Sequence, residues 1–206
     1  MLPRRAHRPR PAPPGRRRAV VLRAGALGLV SALLLVPAGL LDGSPTRAQA
    51  GAPSDALQGT FVYAGRPAAG ERIIRDAIDA GLRGLEPELE RLARARLAES
   101  TWLPRTIQID ASAERIRVRY EGEDSRTFDT EPGEPENMFS PSGVRAQLIQ
   151  SVRPDGGIQQ NLRALDGTQI NMLTPTRSGG LALDVVISSR RVRREIRFQL
   201  LYRRSS

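Results

Sequence analysis

Apolar residues are spaced in two ways along this chain, and the change of spacing divides it. Between residues 70 and 100, Ile74, Ile78, Leu82, Leu85, Leu89, Leu92 and Leu97 recur at steps of three to five, the stripe of an amphipathic helix. Glu71 with Arg75, Asp79 with Arg83 and Glu90 with Arg94 stand acid-first at i,i+4 on the other faces, as suits a solvated outer side. Gly84 and Pro87 interrupt the stripe. Proline fits a first helical turn and not a helix interior, so the spacing predicts two helices joined near 84–86, with one bent helix as the alternative. Leu103-Pro104 ends the stretch, because proline and the residue before it both resist helical geometry.

Elsewhere the period is two. Leu57, Gly59, Phe61 and Tyr63 share one face of a first strand over 57–64. Ile107 and Ile109, then Ile116, Val118 and Tyr120, mark two strands that turn through residues 111–114, and 125–130 is a weaker strand. The segment after it, with Pro132, Gly133, Pro135 and Pro141, reads as a loop. Residues 144–152, 157–165 and 168–174 alternate again, separated by the turn signals Pro154-Asp155-Gly156-Gly157 and Asp166-Gly167. Leu181, Leu183, Val185 and Ile187 mark the next strand, and Ile196, Phe198, Leu200 and Tyr202 the last. About nine short strands in hairpin succession, with two helices inserted after the first, predict a mainly β fold, an antiparallel up-and-down β-barrel. Closure removes the exposed edges such a meander would otherwise have. A two-sheet sandwich is the runner-up.

If the apolar faces point inward, the barrel lining is Ile, Leu, Val and Phe, interrupted by Tyr63, Tyr120, Gln150, Gln160, Thr174 and Tyr202. Tyr63, Tyr120, Gln150, Gln160 and Tyr202 are then the candidate ligand-binding residues, a few hydrogen-bonding groups in a mainly apolar pocket. The same side chains equally complete a packed core, with their amides and hydroxyls bonded to neighbours. A one-residue slip in register inverts the faces and brings Gln147, Gln159, Asn161, Arg163, Gln169 and Asn171 inside instead.

The first fifty residues do not share this patterning. Arg16, Arg17, Arg18 and Arg23 precede an uncharged run over 24–41, and Ala48-Gln49-Ala50 has the small-x-small form of a signal peptidase site. We expect a cleavable signal peptide over 1–50, cut after Ala50, then a short leader at 51–56 and a barrel domain at 57–204. The protein would be exported, periplasmic or extracellular, with no stable membrane anchor after cleavage. The uncharged run is near the lower limit of a membrane span, which keeps an uncleaved anchor as the alternative. The formal charge of +10 is concentrated here, where nine arginines face only Asp42. Beyond residue 50, 23 arginines face 21 acids, and Trp102 is the only tryptophan, so no nucleic-acid partner is expected.

The missing residue types narrow the chemistry further. His7 is the sole histidine and lies in the expected signal, and the chain has neither cysteine nor lysine. Ser-His-Asp and Cys-His nucleophiles, histidine metal sites and lysine Schiff bases are therefore excluded from the barrel domain. No catalytic or metal-ligating residue and no cofactor is assigned, and no enzyme is expected. Carboxylates remain as acid–base groups, yet pairs such as Glu121 and Glu123 fall in an expected loop without a supporting motif.

The order of elements, a strand, a helical pair and a run of strands to the C-terminus, resembles the calycin group of lipocalins and fatty-acid-binding proteins. Leu57-Gln58-Gly59-Thr60-Phe61 looks like the Gly-x-Trp opening of the first strand in that group, with Phe61 at the tryptophan position. Lipocalins also set a late arginine against that ring, a role for which Arg197 or Arg203 is the candidate. The Arg-x-Tyr carboxylate clamp of the fatty-acid-binding proteins is not reproduced, since Leu200 stands two positions before Tyr202. The resemblance implies a β-barrel with the helices as a lid and a small lipophilic molecule as partner. The expected function is a secreted or periplasmic non-enzymatic binding protein. An envelope structural or protein-interaction module without a ligand cavity, its protein partner unknown, is the alternative.

Overall fold

The computed structural model describes residues 51–139 and 143–205, and the expected signal peptide lies outside them. After a 3-10 turn at Asp55–Leu57 come β1 (Gly59–Tyr63), α1 (Pro67–Leu82), α2 (Pro87–Ser100), β2 (Thr106–Ala111), β3 (Ile116–Glu121), β4 (Ser125–Thr130) and β5 (Pro135–Phe139). The chain continues through β6 (Arg145–Val152), β7 (Ile158–Ala164), β8 (Gly167–Pro175), β9 (Leu181–Ser188) and β10 (Ile196–Arg204). The strands form one antiparallel sheet in the order β4-β3-β2-β1-β10-β9-β8-β7-β6-β5. The last strand pairs with the first, and among the described residues no ladder joins β4 to β5. The result is a nearly closed up-and-down barrel, as the alternation predicts, with two helices inserted after the first strand.

The strand count is ten rather than nine. β5 forms where a loop is expected, because a proline-rich stretch can serve as an edge strand whose outward N–H groups need no ladder partner. At the other end of the sequence, Leu57 belongs to the 3-10 turn and not to β1, yet its side chain is fully buried. Gly59 starts β1 at φ 113°, and a Cβ there would lie 2.9 Å from the Arg204 guanidinium.

The two helices meet at the expected break. Gly84 sits between them at φ 80°, and a proline occupies the first turn of each. They are anchored differently. α1 buries Ile74, Ile78 and Leu82 in the barrel core, each contributing about 1.5–3 kcal/mol by the area removed from water. Gly70 and Gly81 allow that close approach, since a Cβ would meet Leu103 and Tyr63 at the first and Ile196 at the second. α2 buries no residue: Ala93 and Leu97, with Leu85 in the link before it, pack partly against the core, while Leu89 and Leu92 are 44% and 45% exposed. The single inward stripe expected across both helices therefore holds for α1 and fails for half of α2.

Polar contacts hold α2 in place instead. Arg94 bonds Asp79 of α1 as well as Glu90, and Arg96 pairs with Asp166 in the β7–β8 turn at 3.0 Å. Arg126 donates to the Ser100 and Glu99 carbonyls at 3.1 and 3.4 Å, where a cation suits the helix C-terminus. Of the three i,i+4 pairs expected from sequence, Glu90 with Arg94 forms. Asp79 turns to Arg94 rather than Arg83, and Glu71 and Arg75 form no ion pair among the described residues.

Candidate functional site

Cross-strand register decides what points into the barrel. Ile107 faces Tyr120 and Ile109 faces Val118 on β2 and β3, while Gln150, Gln160 and Asn171 form one row across β6, β7 and β8. All five expected site residues lie on the inward face, but Thr174 does not. Asn171 and Leu173 point inward, and Thr174 accepts from Arg153 on the outside at 3.3 Å. The β8 pattern Ile170-Asn171-Met172-Leu173 is apolar at both phases, so periodicity alone misplaces Asn171.

The inward polar groups bond to one another across the barrel. Tyr120 on β3 donates to Gln160 Oε1 at 2.6 Å, and Asn171 Nδ2 donates to the same oxygen at 3.0 Å. Gln160 Nε2 donates to Gln150 Oε1 at 2.7 Å. Gln150 Nε2 ends the chain on the Ile116 carbonyl at 2.8 Å and on Thr130 Oγ1 at 3.2 Å. A hydrogen bond that joins opposite walls leaves no ligand-sized gap between them. Gln150, Gln160, Phe61, Ile107, Ile158 and Leu173 have no accessible surface, although a void wide enough for water would expose its lining. The barrel interior at this level is a packed core.

Tyr202 donates to the Pro104 carbonyl at 2.9 Å and stands edge-on to Tyr63, their ring centroids 5.7 Å apart. Burial holds the Tyr120 and Tyr202 phenols protonated well above the usual tyrosine range; hydrogen bonding with Asn171 and Gln160 only partly offsets this at Tyr120, and the neighbouring tyrosines add to it at Tyr202.

Both ends of the barrel are closed. At one end Leu57 plugs the core, and the Gln58 amide pairs with both the N–H and the C=O of Ala111, a backbone-like bridge made by a side chain. At the other end α1 covers the mouth. Where α1, α2 and the link into β2 meet, an open cleft of about 350 Å³ remains. Its floor is apolar, with Ile74, Ile78 and Leu103 each less than a tenth exposed and Trp102 beside them. Its rim carries Glu71 and Arg75 from α1, and Arg105 and Glu123 from the strand side. Thr101 Oγ1 is buried at this cleft without a hydrogen-bond partner among the described residues.

Trp102 is fixed by Arg126, whose guanidinium lies 5.5 Å over the indole and is pushed toward lower pKa by burial, against the attraction of Asp124. Sequence reasoning had the α1 stripe but not this cleft, because its walls come from four separated segments. A second concavity, of about 490 Å³, lies on the outer face of β1–β4. There Arg115 and Arg117 both hold Asp129, and the hydrogen bonds, that from Arg115 foremost, lower its carboxyl pKa to about 2. Those charges are already matched. No group of three or more His, Cys, Asp or Glu residues among the described residues is placed to hold a metal ion.

No protein-family model matches the sequence, and no curated protein matches it. Among solved structures the fold is similar to a Schistosoma mansoni fatty-acid-binding protein in complex with arachidonic acid, at 12% identity and TM-score 0.48, covering 74% of this chain and 98% of that one. It is similar also to the REP1-NXSQ fatty acid transporter, at 12% identity and TM-score 0.47 with the same coverage. The Echinococcus granulosus fatty-acid-binding protein 1 matches at 10% identity and TM-score 0.45 over 74% of this chain and all of that one. The ladder order and the helical pair between β1 and β2 give this chain the nearly closed up-and-down barrel that its element order predicts.

Proposed function

We propose that this protein is an exported, non-enzymatic binding protein for a small lipophilic molecule, held at the helix-covered mouth of the barrel. The observation that carries this reading is the open cleft whose floor is Ile74, Ile78 and Leu103, an apolar surface within reach of solvent. Covering such a floor contributes about 25 cal/mol for each Å² of apolar surface removed from water, with no chemistry required. The lipophilic cargo of the structural neighbours is consistent with it. Native mass spectrometry of the purified protein, followed by solvent extraction and titration with dodecanol while Trp102 emission is followed, tests the reading. A bound lipophile or a saturable emission change is expected. No extractable molecule together with no response to dodecanol overturns it.

One observation favours a second reading, an envelope structural or protein-interaction module. The interior holds a continuous hydrogen-bonded row where a carrier would hold its cargo. Co-purification with one fixed protein partner in place of a lipophile would establish that reading.

A further inference from the structure

We propose that the mouth cleft takes a single-chain amphiphile with a zwitterionic head group, its tail on the Ile74–Ile78–Leu103 floor and its head between the two charged walls. This rests on the lipophile reading above and adds the chemistry of the head. The two walls of the rim have the same composition. α1 presents one acid and one base, Glu71 and Arg75, and the strand side presents another such set, Arg105 and Glu123.

Among the described residues none of these four side chains forms an ion pair or side-chain hydrogen bond, although the fold pairs many of its other arginines. The contrast with Arg94 on the same cleft is direct. Arg94 is bonded by both Asp79 and Glu90, which raise its pKa, so its charge is satisfied and adds nothing to the balance of the site. What remains is two guanidinium and two carboxylate groups across an apolar floor.

Such a rim discriminates by charge. A carboxylate head gains from Arg75 and Arg105 but meets Glu71 and Glu123, and an ammonium head meets the converse. A head carrying both signs can set each of its charges against an opposite one on either wall, which a singly charged head cannot do for both signs of the rim. Thr101 Oγ1, buried at the cleft and unpartnered among the described residues, supplies a hydroxyl for the linkage between head and tail. The packed interior confines the tail to the mouth, because Gln150 and Gln160 beneath it have no accessible surface.

The test uses the full chain, in which Trp102 beside the floor is the only tryptophan and so reports occupancy directly. Monomeric dodecylphosphocholine, dodecanoic acid and dodecyltrimethylammonium are titrated below their micelle concentrations. Dodecylphosphocholine is expected to bind roughly tenfold tighter than either singly charged compound, the scale of one charge-assisted contact. Arg75→Gln with Arg105→Gln, and separately Glu71→Gln with Glu123→Gln, are each expected to remove that preference while circular dichroism stays unchanged.

Equal binding of the three probes, or a preference untouched by both double variants, overturns the zwitterion assignment and leaves the lipophile reading standing. Failure of all three together with dodecanol overturns both. A response to phosphatidylcholine vesicles alone, with none to the monomers, also overturns the assignment, since the cleft is then a membrane-contact surface.

Discussion

The Arg204 guanidinium lies 4.9 Å over the Phe61 ring and donates to the carbonyls of Gln58 and Ala56, the latter at 2.6 Å. One side chain thus ties the final strand, the first strand and the 3-10 plug of the barrel floor together. It takes the place expected for Arg197 or Arg203. Arg197 is engaged by Glu195 two residues away, and Arg203 is an exposed side chain. Arg204→Leu keeps much of the ring contact but leaves two carbonyls without their donors, and is expected to destabilise by about 1–3 kcal/mol in urea unfolding. Arg204→Lys should recover only part of that, lacking the planar fork. Full recovery by lysine would show that charge alone matters here.

The interior row makes Gln160 its most sensitive member, because its amide oxygen takes two donors and its amide nitrogen serves Gln150. Gln160→Leu strands Tyr120, Asn171 and Gln150 at once and is expected to cost roughly 2–4 kcal/mol. Tyr120→Phe leaves Asn171 on the same oxygen, so about 1 kcal/mol is expected. In a double-mutant cycle the two changes should be strongly non-additive. Additive costs would mean that the row does not act as a unit.

Alkaline pH should weaken the fold through the same core. Tyr120 and Tyr202 hold their protons more tightly when folded than in the unfolded chain, where tyrosine titrates near 10. Their contribution is complete below about pH 10 and is lost as the pH rises toward their folded values. The urea midpoint followed from about pH 8 to about pH 12 should fall above 10, and Tyr120→Phe with Tyr202→Phe should flatten the fall. An equally steep fall in that double variant would place its cause elsewhere.

Unequal anchoring of the two helices gives a simple contrast. Ile78→Ala removes a core contact and should cost about 2–4 kcal/mol, whereas Leu92→Ser on the open face of α2 should change stability by less than about 0.5 kcal/mol. Comparable losses at the two positions would indicate that α2 buries its stripe in solution.

Alternation with period two was enough to place most strands, because each has one face in the core and one in water. That rule weakens where the geometry is special. Among the described residues β5 has a ladder partner on only one side and tolerates a proline, so its composition is that of a loop. In β8 both phases are apolar enough that Asn171 and Thr174 exchange faces. Along the helices the stripe was legible, but not which half of it would find a surface to cover.

The amino-acid sequence by itself determined a β meander with a helical pair after its first strand, because backbone periodicity and proline and glycine placement are local properties. It also determined that histidine, cysteine and lysine chemistry is absent from the barrel domain. Only the tertiary structure decided that Tyr120 finds its partner in Gln160 and Gln150 in the Ile116 carbonyl rather than wait for a ligand, since residues 40 and 34 positions apart meet only when the sheet rolls up. It likewise decided that Arg204 covers Phe61 and that the open apolar surface lies at the mouth beside Trp102. Those relationships depend on the curvature of a nearly closed sheet and on where α1 settles across it, which no local pattern records.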